Sequence, residues 1–270
     1  LGLVEEAQVI KLSDKDLMFL IQTVATQRRD YEHIKEIVKD KPDLLDLMLD
    51  DEKLFQRLLR EEEVLLQISP RLLFEILLRQ ARRELKREAF TVEKVGLTWK
   101  IPVFDSSKVA ELLEDKGIRG YLAEMLSSFT RTESTVLYFR RGTRTYRKRF
   151  SDMDFDDVEE LSRFVEEKYR FPFYKRMGDI SLFLTGVFPE YVDSPYPWKL
   201  WRTRVRRSLE ELEREGREVY RLASEHEEAR RSNLGDILWR LSENFDLARK
   251  SLNFISDRYI HRHKLTLFAL

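Results

Sequence analysis

The stretch Met177-Gly-Asp-Ile-Ser-Leu-Phe-Leu-Thr-Gly-Val-Phe188 carries one charge, Asp179, among apolar and small residues. A helix of this composition has no face suited to water and belongs in an interior. At about a dozen residues it is well short of the ~20 that span a bilayer, so it predicts a helix buried in protein. Pro189, Pro195 and Pro197 follow and impose a non-helical connection. Beyond them, Val205, Leu209, Leu212, Gly216, Val219, Ala223 and His226 fall at alternating steps of four and three. Leu234, Leu238, Leu241, Phe245, Ala248, Leu252 and Ile255 do the same. Two such seams, joined near Ser232-Asn233, predict an antiparallel helical hairpin in which Gly216 and Ala223 let the backbones approach.

Upstream of the buried stretch, helix begins at Asp154. The run Asp152-Met-Asp-Phe-Asp-Asp157 opens like a calcium loop, but Asp157 stands where that loop needs Gly and Arg163 where it needs Glu. Capping by Ser151, Asp152 or Asp154, with acids at the positive helix end, is the better reading. Residues up to Glu88 read as short linked helices. Ser13 and Asp14 precede the stripe Leu17, Leu20, Ile21 and Val24, and Pro42 suits a first helical turn. Ser69-Pro70 opens a further helix with Leu73, Phe74, Leu77, Leu78 and Ala81 on one face. Its far end is basic at Arg79, Arg82, Arg83, Lys86 and Arg87.

Between Phe90 and Phe150 the character changes. Val95 to Phe104 is rich in β-branched and aromatic residues, and Pro102 confines it to a sheet edge. Ser106 or Ser107 caps a helix to about Asp115, Gly117 breaks it, and a second helix places Tyr121, Leu122, Met125, Leu126 and Phe129 on one side. Thr135–Phe139 and Thr145–Phe150 are strand-like runs that pair across Arg141-Gly142-Thr143. The expected fold class is mainly α and multi-helical. It has a small antiparallel β element, winged-helix-like order in the middle and a C-terminal antiparallel helical hairpin. Three regions follow: residues 1–89, helical; 90–150, small α/β with a basic hairpin; and 151–270, helical, within one integrated fold.

Composition bounds the function. The chain has 270 residues, with 49 Lys+Arg against 49 Asp+Glu and a formal net charge of zero. Charged residues reach 36%, against about 25% in an ordinary globular protein. The 42% of hydrophobic residues excludes disorder as the dominant state. The absence of cysteine excludes disulfides, thiolate metal sites and Cys nucleophiles. Thirty-two arginines with only three asparagines match a pattern reported for heat-adapted proteins, which lineage bias also produces. Leu1 to Leu12 lack the features of a secretory signal, so a cytoplasmic location without membrane contact is expected.

The order helix, strand, helix, turn, helix, hairpin is that of a winged helix, with Arg119 to Phe129 as its recognition helix. The hairpin carries Arg140, Arg141, Arg144, Arg147, Lys148 and Arg149 without an acid, a local charge of +6 suited to phosphate. Tyr138 and Tyr146 lie among these cations. A second basic cluster, Lys199, Arg202, Arg204, Arg206 and Arg207, adjoins Trp198 and Trp201. Arginine interleaved with aromatic residues suits single-stranded nucleic acid, although the start of a packed helix after a Pro-rich loop looks the same. From Asp43 to Leu66, eight acids face three bases, so a hairpin docked on the chain's own acidic helices is the competing reading. The pair His261-x-His263 lacks the helical spacing of a zinc site, and no Gly-rich phosphate loop or nucleophile elbow is present. No cofactor or metal is expected.

Two segments carry a resemblance, Ser69-Pro-Arg-Leu-Leu-Phe-Glu-Ile-Leu-Leu78 and the run from Gly178 to Pro189. With them the chain resembles a group of uncharacterised prokaryotic proteins sharing a Gly-Asp-x-x-Leu-x-x-x-Gly-x-Phe-Pro core. Gly216-Arg-Glu-Val-Tyr220 and Arg249 to Tyr259 are similar as well, so the likeness covers most of the chain from about Leu12. It implies one integrated fold and transfers no activity. It directs attention to Asp179, Asn253, Asp257 and Arg258 as a candidate buried polar network that fixes helix docking. The leading functional expectation is a non-enzymatic protein whose basic hairpin contacts nucleic acid. The alternative is an interaction or scaffold module that docks the hairpin on an acidic protein, and the weakest is an enzyme with a pocket near Asp179 and Tyr220.

Overall fold

The computed structural model describes residues 12–61, 63–64, 67–95, 99–131, 134–141, 144–192 and 207–268. In the strands, residues 93–95, 99–100, 135, 137–141 and 144–148 are described by their backbone alone. The chain is mainly α-helical, with two small antiparallel hairpins. In order they are α1 (Asp14–Val24), α2 (Tyr31–Asp40), α3 (Pro42–Leu49), α4 (Glu52–Arg60), α5 (Pro70–Leu85), β1 (Thr91–Val95), β2 (Trp99–Val103), α6 (Ser106–Leu112) and α7 (Lys116–Ser128). Then come β3 (Ser134–Arg141), β4 (Arg144–Ser151), α8 (Phe155–Ser162), α9 (Phe171–Val187), α10 (Pro189–Val192), α11 (Leu209–Glu225), α12 (Glu227–Arg231), α13 (Gly235–Glu243) and α14 (Phe245–Ile255). A π-helical turn (Ser256–Ile260) and α15 (Lys264–Leu267) complete the described chain.

Contacts divide the chain into two compact units, one formed by residues up to Ala89 with Ser106–Ser127, the other by Phe90–Asp105 with Ser128–Leu270. The winged-helix order of elements is present, but α6 and α7 belong to the first unit and both hairpins to the second. Of the single strand expected from Val95 to Phe104, Val95 ends the first arm of a hairpin and Trp99–Val103 form the second, with Thr91 paired with Val103 and Val95 with Trp99.

Each unit is built around one helix buried on all sides. In the first it is α5, where every residue from Leu72 to Ala81 is buried, Glu75, Arg79 and Gln80 among them. Ser69 caps its start by accepting from Leu72 N at 3.2 Å. Around it, Leu17, Leu20 and Ile21 of α1, Leu45 and Leu49 of α3 and Leu54 of α4 form the apolar core. In the second unit the central helix is α9, buried without a break from Met177 to Val187 as its composition predicts. It packs against α8, α11 and α14.

The glycines of α9 and α11 explain how closely these helices pass. A Cβ on Gly178 would lie 2.5 Å from the Tyr220 ring, and one on Gly186 2.7 Å from Leu252 Cβ. On Gly216 it would stand 2.7 Å from both Phe245 and Ser181. The two seams of the C-terminal hairpin are buried along Leu212, Val219 and Ala223 on one arm and Leu238, Leu241, Phe245, Ala248 and Leu252 on the other. Stacked Phe129 and Phe183, 4.0 Å between centroids, extend this core, with Phe188 and Phe268 edge-on to Phe183.

Candidate functional site

The basic hairpin is a regular two-stranded ribbon. Its register pairs Val136 with Arg149, Leu137 with Lys148, Tyr138 with Arg147, Arg140 with Thr145 and Arg141 with Arg144. All six cations therefore lie within positions 140–149, next to residues 142–143, which lie outside the described residues. The base of the ribbon is fixed by burial and hydrogen bonds. Phe150 is buried, and Ser151 N donates to Asp157 Oδ2 at 2.9 Å. Asp154 caps α8 through the amides of Asp156 and Asp157, so the Asp152–Asp157 run is a helix start, as its failed calcium spacing predicts. Arg176 clamps the same turn, donating to Asp152 O at 2.8 Å and lying 4.1 Å over the Phe129 ring. One residue from buried Phe150, Arg149 is exposed.

Arg119 is not available to join the hairpin. It is 1% exposed and sits in an ionic cluster inside the first unit, so its assignment to nucleic-acid contact is corrected. Its Nε donates to Glu75 Oε1 at 3.3 Å and its Nη1 to Leu113 O at 2.8 Å. Glu75 is fully buried and accepts on the same oxygen from Arg79 Nε at 3.0 Å, while its Oε2 has no hydrogen-bond partner. Arg79, itself fully buried, reaches Asp46 Oδ1 at 2.5 Å and Asp50 Oδ1 at 2.9 Å. Lys116 reaches the other Asp46 oxygen at 2.8 Å. Burial alone pushes the Asp46 carboxyl up, but hydrogen bonds from Lys116 and Arg79 outweigh it and hold it at about 2. Burial, and then the neighbouring Arg79 charge, pull the Arg119 guanidinium below its ordinary value.

This cluster also shows where some of the acids of Asp43–Leu66 find partners. Asp46 is held by α5 and α7, and Asp50 by Arg79 and Arg82, with Arg83 on its carbonyl at 2.7 Å. Asp51 caps α4 through Lys53 N, and Glu61 pairs with Arg57. These acids are met within their own unit.

The second basic cluster, with Trp201, Arg202 and Arg204, lies in residues 193–206, outside the described residues. Its last member, Arg207, is half-buried and lies 4.2 Å over the Phe155 ring, close to Asp156 and 2.5 Å from Glu215.

The four polar residues singled out in α9 and near the C-terminus separate into different roles. Asp179 is buried, accepting from Tyr220 Oη at 2.8 Å and from Lys175 Nζ at 2.8 Å. Asn253 donates to Thr185 O at 3.0 Å and to Gly186 O at 2.6 Å. Asp257 and Arg258 are exposed, and Arg258 lies 5.3 Å from the Phe254 ring, so these two do not belong to a buried network. The π-helical turn is the reason. Its wider winding breaks the 3.6-residue register, turning Ser256 and Ile260 inward and leaving Asp257 and Arg258 outside.

Two residues not singled out from sequence complete the α9 terminus. Ser256 Oγ donates to Val187 O at 2.9 Å and Lys264 Nζ to the same oxygen at 3.1 Å, with Glu190 beside the ammonium. Three side chains thus occupy the orphan carbonyls of α9, and a cation stands at the negative end of its dipole. His226, expected on the seam, lies half-buried where α11 ends and α12 begins. It accepts from Glu228 N on Nδ1, so Nε2 carries the proton it shares with Glu167 O at 3.1 Å.

Compared with protein-family models, with curated proteins and with solved structures, the chain matches none. Among the described residues no helix is long and apolar enough to cross a membrane. The case for function therefore stands on the chain's own chemistry, and the greatest concentration of cations without an acid between them in the sequence is the β3–β4 hairpin.

Proposed function

We propose that the protein is a non-enzymatic nucleic-acid-contacting protein whose β3–β4 hairpin is the contact surface. One observation carries the reading: six cations and no acid occupy positions 140–149 of a ribbon anchored at its base by Phe150, Ser151 and Arg176. Arginine supplies five of the six, and its planar fork suits phosphate oxygens better than lysine does. Exposed Arg149 and the pairing of Asp46, Asp50 and Glu61 within their own unit support the reading further. Each phosphate met by a cation releases a condensed counterion, so such binding is strong at low salt and weakens steeply as salt rises.

The test is fluorescence anisotropy of a labelled duplex titrated with the full chain at low and moderate salt. Six phosphate contacts predict a slope of log K against log salt of about −5, and reversing Arg141, Arg144 and Arg147 to Glu reduces it to about −3 or less. Absence of binding at low salt by folded protein, or a reversed variant that binds unchanged, overturns the proposal. A stoichiometric acidic protein partner retained after nuclease treatment moves the assignment to the interaction-module alternative. Preferential binding to anionic vesicles overturns it as well.

A further inference from the structure

We infer that Lys250 of α14 is a latch through which folding of the second unit stabilises the first, with the β1–β2 hairpin as the linkage. The chain leaves the first unit after Ala89, forms this hairpin as part of the second, and returns to the first at Ser106. Helices α5 and α6 pack against each other in the first unit, yet the connection between them is a ribbon that belongs to the second.

Both ends of that connection are tied. In the first unit, buried Ser106 donates from Oγ to Glu88 O at 2.7 Å. In the second, Thr91 pairs with Val103, and Thr91 Oγ1 donates to Asp105 Oδ1 at 2.5 Å. The other Asp105 oxygen accepts from Lys250 Nζ at 2.5 Å, and Asp246 Oδ2 lies 2.9 Å from the same ammonium. Lys250 is 7% exposed, so this ion pair acts where water is largely excluded.

The ribbon has little else to hold it. A two-stranded hairpin is marginal by itself. Among its described side chains Val92, Ile101, Pro102 and Phe104 are exposed, Phe104 at 80%, so it buries little apolar core of its own. Its buried side chain is Thr91, on the strand that packs against α14. The Lys250–Asp105 pair is therefore the tie that fixes the ribbon on the second unit. A docked ribbon keeps Ala89 and Ser106 close together before α5 and α6 have folded. Folding of the first unit then need not close a loop over Phe90–Asp105, because that conformational entropy is already lost. A disulfide lends stability by the same route. Without the latch the loop must be closed afresh, and the first unit loses stability although none of its own contacts has changed.

Hydrogen exchange of the full chain, read at α5 amides in the first unit and α9 amides in the second, tests the latch. Lys250→Met should speed α5 exchange about tenfold. Lys264→Met weakens the second unit through Val187, Ser256 and Glu190, all outside the hairpin, and should leave α5 exchange within about twofold. The chain has no cysteine, so Phe90→Cys with Phe104→Cys, one step beyond the Thr91–Val103 pair, closes the ribbon by a disulfide in the Lys250→Met background. Oxidised, that chain should regain α5 protection to within about threefold of the natural protein, and reduced it should not. If Lys250→Met does not fold, Thr91→Val makes the same comparison, because it removes the bond to Asp105 with little change of shape. An α5 exchange rate unmoved by loosening the tie overturns the latch. Equal acceleration by Lys264→Met overturns it too, since general weakening of the second unit then accounts for the effect. Failure of the formed disulfide to restore protection overturns the linkage through the hairpin.

Discussion

Replacing Gly178 by alanine should destabilise the protein, although alanine is the better helix former. Alanine in a helix interior is favoured over glycine by about 1 kcal/mol. Against that, the new methyl would lie 2.5 Å from Tyr220 Cδ1, 2.6 Å from Cε1 and 2.9 Å from Cγ, so the ring must move. Overpacking of this kind costs about 1–3 kcal/mol. The ring is not free to swing, because Tyr220 is fully buried and its hydroxyl donates to Asp179 Oδ1 at 2.8 Å. Losing a hydrogen bond to a buried carboxylate adds about 1.5–3 kcal/mol. The balance is a net loss of about 3 kcal/mol. Gly120 supplies the control, since a Cβ there meets Arg71 Nη2 at an ordinary 3.6 Å. Gly120→Ala should therefore be neutral or stabilising by up to about 1 kcal/mol. Urea unfolding followed by circular dichroism, with hydrogen exchange of α9 amides as a local probe, measures both variants. If Gly178→Ala matches or exceeds the natural protein in stability, helix propensity has won, and the close approach of α9 to α11 is refuted.

Three further outcomes follow from the ionic clusters. The Asp46 carboxyl titrates near 2 when folded against 3.8 ordinarily, so its stabilisation is complete above about pH 4 and is lost as pH falls toward about 2. The full shift is worth up to about 2 kcal/mol, reduced to about 1 by solvent screening at a carboxylate 19% exposed. Asp46→Asn should flatten acid unfolding in that window, and an unchanged acid profile would rule the cluster out as its source. Arg79→Met should cost about 3–5 kcal/mol, because it leaves the fully buried Glu75 short of a counter-charge. Replacing Glu75 by leucine in the same chain should recover a large part, measured by denaturant midpoint. Lys264→Met removes a donor from Val187 O and the cation from the α9 C-terminus, and should lower stability by about 1–2 kcal/mol, read from the thermal midpoint.

What was legible in the sequence was local chemistry. Ser13, Pro42, Ser69 and Asp154 mark helix starts because capping and first-turn preferences are settled within four residues. The central helix α9 is legible because its composition leaves no polar face. Its counterpart α5 is harder to read, because Glu75 and Arg79 mimic a solvated side on a helix that has none. Their compensation comes from Asp46, 33 positions from Arg79, and Arg119, 44 positions from Glu75, and no periodic pattern links residues so far apart. The same limit misplaced Arg119, whose charge fits a nucleic-acid surface as well as it fits a buried carboxylate. At the other end of the chain, the seam drawn through α14 holds to Ile255 and fails at the π-helical turn. There Asp257 and Arg258 face outward while Ser256 and Lys264 turn in.

Zero net charge conceals how differently the charges are used. In the first unit opposite charges cancel at short range. Arg79, Arg82, Arg119 and Lys116 converge on Asp46, Asp50 and Glu75, so these three acids are met by cations at short range. Pairs this close are worth most where water is excluded, and Arg79 and Glu75 are both fully buried. The hairpin has no acid of its own from Arg140 to Arg149, so local cancellation within the ribbon is impossible and its field extends to about a Debye length. If the hairpin is the contact surface proposed above, a polyanion is drawn to that ribbon despite the neutral total. The steering weakens with salt, whereas the buried cluster, shielded from solvent ions, keeps its strength. Salt sensitivity of binding with salt-insensitive stability is the combined signature that separates the two uses of charge.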